Sequence, residues 1–244
     1  MKAPEILFLI TARGGSKGVP GKNKRRIGPH SLIGYKAISA KKSKYCTRLV
    51  ISTDSEELQE DAARYGAEVP FTRPRELATD TAKSDDVVLH AMAYFENEEG
   101  RRYDAIMLLE PASPFARARD FDAAVEIYVR HKANLVVGVK PVEVNSIFVG
   151  PLGEDGRADR IIGKFVSRPD VRRQAFEQEY TMNGALYLFG WDYMKTTRRM
   201  YADPANTYGH PMDRFHSAEI DTLYDMRLAE LFAKNGDIDL GEWS

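Results

Sequence analysis

The sequence predicts an α/β fold, a mostly parallel sheet with helices on both faces. Two observations carry that reading. Short apolar runs alternate with segments of about 10–15 residues at helical spacing, the pattern of consecutive βαβ units. A glycine-rich loop also follows the first apolar run directly, where open α/β sheets bind their ligands. With 244 residues, 43% of them hydrophobic, the chain suffices for one well-cored domain with an appendage.

In chain order, Ile6–Thr11 reads as a short buried strand. Ser31–Lys44 reads as a helix, with Leu32, Ile33, Tyr35, Ala37 and Ile38 at helical spacing. Leu49–Thr53 is strand-like, and Ser55–Tyr65 opens on Ser-Glu-Glu, a helix start. Glu68–Phe71 is expected as a strand, Asp85–Asn97 as a helix, Ile106–Leu109 as a strand, Asp120–His131 as a helix and Leu135–Val139 as a strand. The pattern then breaks. Residues 141–180 place Gly150, Gly153 and Gly156 among charges with no useful helical period. This stretch is read as an inserted arm, an extended hairpin, within a main domain of residues 1–140 and 181–244. The α/β pattern resumes with Gly184–Phe189 and closes with the helix Thr222–Lys234.

The formal net charge of −1 conceals an asymmetry. Residues 1–48 hold 12 Lys/Arg and the single acid Glu5, whereas the remainder holds 23 basic and 35 acidic residues. Lys36, Lys41, Lys42 and Lys44 are read as a solvated helix face. The early apolar run Ile6–Ile10 is too short for a signal peptide, no run approaches a membrane span, and Cys46 is the only cysteine. A cytoplasmic protein that binds neither membrane nor nucleic acid is expected.

The clearest chemistry is the loop Ala12-Arg13-Gly14-Gly15-Ser16-Lys17-Gly18-Val19-Pro20-Gly21-Lys22-Asn23. Its glycines let backbone N–H groups approach an anion, and Arg13 and Lys22 add a planar fork and a point charge suited to a polyphosphate. It is not a Walker loop, because five residues separate Gly15 from Gly21 and Asn23 follows Lys22. Nor is it a dinucleotide fingerprint, since Ser16 stands where the second glycine would be required. His90 lies on an apolar helix and reads as a packed histidine, and His30, His131, His210 and His216 lack metal-ligand spacing.

This loop resembles the signature of the acylneuraminate cytidylyltransferases, which activate sialic and related nonulosonic acids as CMP-sugars. The resemblance continues in order through Phe71-Thr72-Arg73-Pro74, Leu77 to Ser84, Leu108 to Pro114, Arg173-Gln174, Asn183 to Tyr187, and Glu219 to Thr222. It implies a Rossmann-like nucleotidyltransferase sheet, CTP and a 2-keto sugar acid as substrates, Mg²⁺ as cofactor, and a homodimer whose arms exchange. It implies triphosphate contacts from Arg13, Ser16 and Lys22, and nucleotide contacts from Asn23, Arg73 and Ser84. Catalytic roles fall to Arg13, Lys22 and Asp221, and the sugar side to Glu110, Asn183 and Arg173. Asp221 and Glu219 form the implied metal pair; on an extended segment i and i+2 share a side. By itself such a pair is more often a solvated helix start.

The chain departs from the family pattern on the sugar side. Glu110 replaces a glutamine, Thr181 stands in place of an arginine, Glu219 in place of an aspartate, and Asn145 to Phe148 lacks an expected lysine. Two cations are lost and an anion gained unless Lys164, Arg168 or Arg172 compensates. The expected acceptor is therefore a relative of N-acetylneuraminate rather than N-acetylneuraminate itself. Alternatives are a 3-deoxy-manno-octulosonate cytidylyltransferase, an α/β glycosyltransferase, a nucleic-acid-binding module and a non-catalytic nucleotide-binding homologue. The Gly14-Gly15 pair with Asn23 argues against the first, and the C-terminal position of the acidic pair against the second. Basic residues clustered about a loop, rather than along a helix or aromatic sheet face, argue against the third. No general base is evident.

Overall fold

The computed structural model describes residues 3–15, 19–166, 172 and 176–244. Ser16, Arg168 and Arg173, all named above, lie outside the described residues. Six strands form one sheet in the order β4 (Cys46–Ser52), β1 (Ile6–Thr11), β5 (Ala105–Leu109), β7 (Tyr180–Gly190), β6 (Leu135–Pro141) and β8 (Thr207–Pro211). Every neighbouring pair is parallel except those made by β7, which runs against β5 and β6; β2 (Arg26–Ile27) and β3 (His30–Ser31) form a separate antiparallel pair.

Burial on both faces explains why the central strands read as unbroken apolar runs. Ile6, Phe8 and Ile10 of β1 enter one core with Met107 and Leu109 of β5. Leu7 and Leu9 enter the opposite core with Ile106 and Leu108. Helices α1 (Leu32–Lys42), α2 (Glu56–Arg64) and α4 (Ala118–His131) cover the first face through Ile33, Leu58 and Phe121. Helices α3 (Ser84–Glu98) and α6 (Trp191–Thr197) cover the second through Val88, Phe95 and Trp191.

A third cluster determines where the C-terminus goes. Helix α7 (Leu223–Asn235) and the tail pack Met226, Ala229, Ile238 and Trp243 against Tyr35, Phe115 and Ile220. Thr222 caps α7 by accepting from the Asp225 N–H, while Asp225 accepts in return from the Thr222 N–H. The packing brings residues 219–221 beside the loop after β1, although the two are far apart in sequence.

Several elements differ from the sequence pattern. Glu68–Phe71 is not a strand: Glu68 alone bridges Val50, because Pro70 has no N–H with which to continue a ladder. Strand β8 and helix α6 were not legible, β8 being Thr-Tyr-Gly-His-Pro with no apolar run. Lys36 is not on a solvated face; it is fully buried. From residue 141 the β6–β7 ladder ends at Pro141 and Tyr180, and the Val142 N–H donates to the Glu179 carbonyl. Beyond lie a 3-10 turn at Ser146–Phe148 and the four-residue α5 (Asp159–Ile162). No described helix is long and apolar enough to cross a membrane.

Candidate active site

The carboxyl ends of β1 and β5, the turn 73–84 and the start of α7 surround a cavity of about 340 Å³. Seven predicted residues line it together: Arg13, Lys22, Asn23, Arg73, Ser84 and Asp221, with Glu110 at its inner end.

The cationic side is held by neighbouring backbone and acids. Asn23 is buried and donates from Nδ2 to the Arg13 carbonyl, fixing the two limbs of the loop against each other. Gly14 donates its N–H to Asp54 Oδ1 at 2.9 Å. Arg13 Nη1 lies 2.5 Å from Asp80 Oδ1 across the cavity mouth, and Lys22 Nζ lies 3.0 Å from Asp221 Oδ1. Arg73 is the buried cation: its guanidinium donates to the Ser52 hydroxyl and carbonyl, and burial pushes it down to about 10, against the pull of Asp54. Ser84 opens α3, so the helix's first N–H groups and its positive dipole end face the same space.

The inner end is acidic, and a buried lysine acts on it electrostatically. Burial raises the Glu110 carboxyl above its ordinary range; Lys36 opposes that shift, while Glu219 and Asp221 add to it. Lys36 donates to the Ala185 carbonyl at 2.5 Å, stands 5.6 Å from the Phe121 ring centre, and is pushed down to about 7 by burial. Sequence spacing alone could not reveal this residue; its helix position lies between the core residues Ile33 and Ala37. Gly184, at φ +62°, lets Glu110 and Glu219 close in: a Cβ there would lie 3.1 Å from Glu110 Oε2 and 3.2 Å from Glu219 Oε1. Asn183 does not face the cavity. It is fully buried, with Oδ1 accepting from the Ala185 N–H and Nδ2 pointing at Met212 Sδ, so its part is to hold the Gly184 turn.

Glu219 and Asp221 flank the buried Ile220, whose N–H donates to the Ala112 carbonyl. They do not converge on one point: Glu219 Oε2 pairs with Lys140 Nζ at 2.7 Å, and Asp221 with Lys22. Among the described residues no three His, Cys, Asp or Glu side chains gather closely enough to hold a metal by themselves. The donor set still fits Mg²⁺, which takes one or two carboxylates and completes its shell with substrate phosphates and water. Asp221, 71% exposed at the cavity mouth, meets that need. Lys164 donates to the Ser146 and Val149 carbonyls inside the arm. Arg172 is exposed.

The family model described as "Cytidylyltransferase" matches residues 7–149. The chain is 32% identical over 234 residues to the "Post-translational flagellin modification protein B" of Campylobacter coli, covering 96% of this chain and 97% of that one. It is 31% identical over 229 residues to the "CMP-N,N'-diacetyllegionaminic acid synthase" of Legionella pneumophila, covering 92% and 94%. Its fold matches that of a CMP:2-keto-3-deoxy-manno-octonic acid synthetase solved in complex with CTP, with a TM-score of 0.69 at 14% identity over 95% of this chain and 99% of that one.

Proposed function

The chain belongs to the cytidylyltransferase family, and on that premise we propose that it activates a nonulosonic, sialic acid-like 2-keto sugar acid with CTP. The anomeric hydroxyl attacks the α-phosphorus; the new O–P bond forms as the bond to the β-phosphate breaks. CMP-sugar and pyrophosphate leave, and the hydroxyl proton passes to solvent or pyrophosphate. One observation carries the reading: Arg13, Lys22 and Arg73 converge on a single cavity whose other end is carboxylate.

In this reading Arg13 and Lys22 exchange Asp80 and Asp221 for phosphate oxygens, and the α3 N-terminus adds its dipole. The work is positioning and charge stabilisation, which needs little covalent chemistry from the protein. Asp221 would hold Mg²⁺, with Glu219 turned away to Lys140; when bound, that ion supplies neutralising charge to the phosphates. Glu110 fits the sugar side, where a buried acceptor-only carboxylate favours hydroxyl or amide N–H donors. A homodimer with exchanged arms and a cytoplasmic location belong to the same proposal. The L. pneumophila relative, named for N,N'-diacetyllegionaminic acid, supports a diacylated acid as the acceptor.

The test is pyrophosphate release from CTP and Mg²⁺ with a panel of sugar acids, and with the other three triphosphates as controls. Faster turnover of N,N'-diacetyllegionaminate than of N-acetylneuraminate is expected. Equal or better turnover of N-acetylneuraminate defeats the acceptor assignment. Absence of pyrophosphate release with every acid points to a non-catalytic homologue.

A further inference from the structure

Lys36 is the only lysine among the described residues that is fully buried. It lies on the core side of α1, between Ile33 and Ala37. Among the described residues its one hydrogen bond is to the Ala185 carbonyl, at 2.5 Å. An ammonium carries three donors, and burying it with so few partners is costly. An apolar side chain of similar length would serve the packing better, so the use of this residue lies in its charge.

The carbonyl it holds belongs to the turn Asn183-Gly184-Ala185. Asn183 Oδ1 accepts from the Ala185 N–H, and Ser113 Oγ donates to the Asn183 carbonyl at 2.7 Å. Glu110 rests on the same turn, since a Cβ at Gly184 would lie 3.1 Å from its Oε2. Lys36 and Glu110 therefore share one three-residue support.

Two carboxylates are within electrostatic reach of Lys36, Glu110 and Asp120. Asp120 is already engaged, by Arg117 at 3.0 Å and by His210 at 3.5 Å. The Glu110 side chain lines the cavity and has no hydrogen bond or ion pair among the described residues. Lys22 also reaches it electrostatically, more weakly, and is paired with Asp221. Glu110 is thus the carboxylate that still needs a cation, and Lys36 the cation that still needs a carboxylate.

We infer that Lys36 is a positioning residue for the acceptor end of the cavity. Anchored on the Ala185 carbonyl, it counters the charge of Glu110 and holds that carboxylate ready to accept from hydroxyl or amide N–H groups of the sugar acid. It lines no part of the cavity itself and acts through Glu110. The inference deepens the functional reading above, which assigns Glu110 to the sugar side, and rests on it.

Kinetics with CTP and N,N'-diacetyllegionaminate are compared for wild type, Lys36→Met, Glu110→Gln and the double variant, with Lys36→Leu as a second apolar replacement. They are run at about pH 6, below the value of about 7 at which Lys36 loses its proton. Lys36→Met is expected to raise the acceptor KM about tenfold and to leave the CTP KM within about twofold of wild type. In the Glu110→Gln background the same change should move the acceptor KM less than about twofold, because the charge it serves is gone. Equal fold-changes in the two backgrounds overturn the inference, as does a CTP KM that rises in step; either would make Lys36 a packing residue. Urea midpoints of the same proteins read the pair without substrate. Lys36→Met should raise the midpoint more in the Glu110→Gln protein than in wild type, where it also strands an anion. Equal midpoint shifts overturn the inference too. Coupled midpoints with no pyrophosphate release from any acid sink the functional reading and leave the pairing of Lys36 with Glu110 standing.

Discussion

Lys22 Nζ lies 3.0 Å from Asp221 Oδ1, joining the loop after the first strand to the start of the last helix across 199 positions. Lys22 is mostly covered and Asp221 mostly exposed. Such a pair contributes only about 0–1 kcal/mol to stability. Asp221→Asn should therefore leave the urea midpoint nearly unchanged. Turnover should fall about 100-fold or more, the scale for removing one charge-stabilising group from a transition state. Denaturation and steady-state kinetics on the same preparation check this; parallel losses of stability and activity would contradict it.

Arg73 behaves differently because it is buried and donates to Ser52. Arg73→Met leaves the Ser52 acceptors without their donor and should cost about 1–3 kcal/mol of stability. It should also weaken CTP binding about tenfold or more. Arg73→Lys restores charge without the planar fork and should recover little. Calorimetric titration with CTP beside urea unfolding reads both effects.

Gly184→Ala combines a backbone at φ +62° with a methyl group placed within 3.2 Å of Glu110, Glu219 and Ser113. Gly156, at φ +79° with open space around it, carries the backbone penalty alone. Gly156→Ala should cost about 1 kcal/mol and leave turnover intact. Gly184→Ala should cost roughly 2–3 kcal/mol and displace the two carboxylates, with a loss of turnover. Equal behaviour of the two variants would show that the close approach at Gly184 is unimportant.

Lys36 gives a pH signature. Its ordinary value of 10.5 is pushed down to about 7 in the fold by burial. Between those values the unfolded chain carries a proton that the folded chain does not, so stability rises with pH. The penalty for a charged Lys36 is fully present below about pH 7. Cys46, raised by burial from 9.0 to about 12, acts oppositely above about pH 9. The clean window is thus about pH 7 to 9. Urea midpoints should climb across it in the wild type, and Lys36→Met should remove that climb. A wild-type midpoint that is flat or falling there excludes a depressed Lys36.

The fold class was legible because β1 and β5 are buried on both faces and read as apolar runs, while α1 and α4 show helical spacing. The loop from Arg13 to Asn23 was legible because glycine and cation density after a strand has few other physical uses. Strand β8 was not legible: it takes its structure from pairing with β6, not from its own Thr-Tyr-Gly-His-Pro. The strand expected at Glu68–Phe71 failed at Pro70, whose missing N–H outweighs the extended pattern around it.

The order of motifs by itself determined the family-like chemistry, down to Arg13, Lys22, Arg73, Glu110 and Asp221. Only the tertiary structure decided how they are partnered. It turned Glu219 to Lys140 and Asp221 to Lys22, buried Asn183 away from the cavity, and set a buried Lys36 within electrostatic reach of Glu110. The physical reason is range. Periodicity and motif spacing record what a residue's near neighbours in sequence require. Ion pairs and burial depend on helix packing, here on α7 and Trp243 closing against Tyr35 and Phe115 from the far end of the chain.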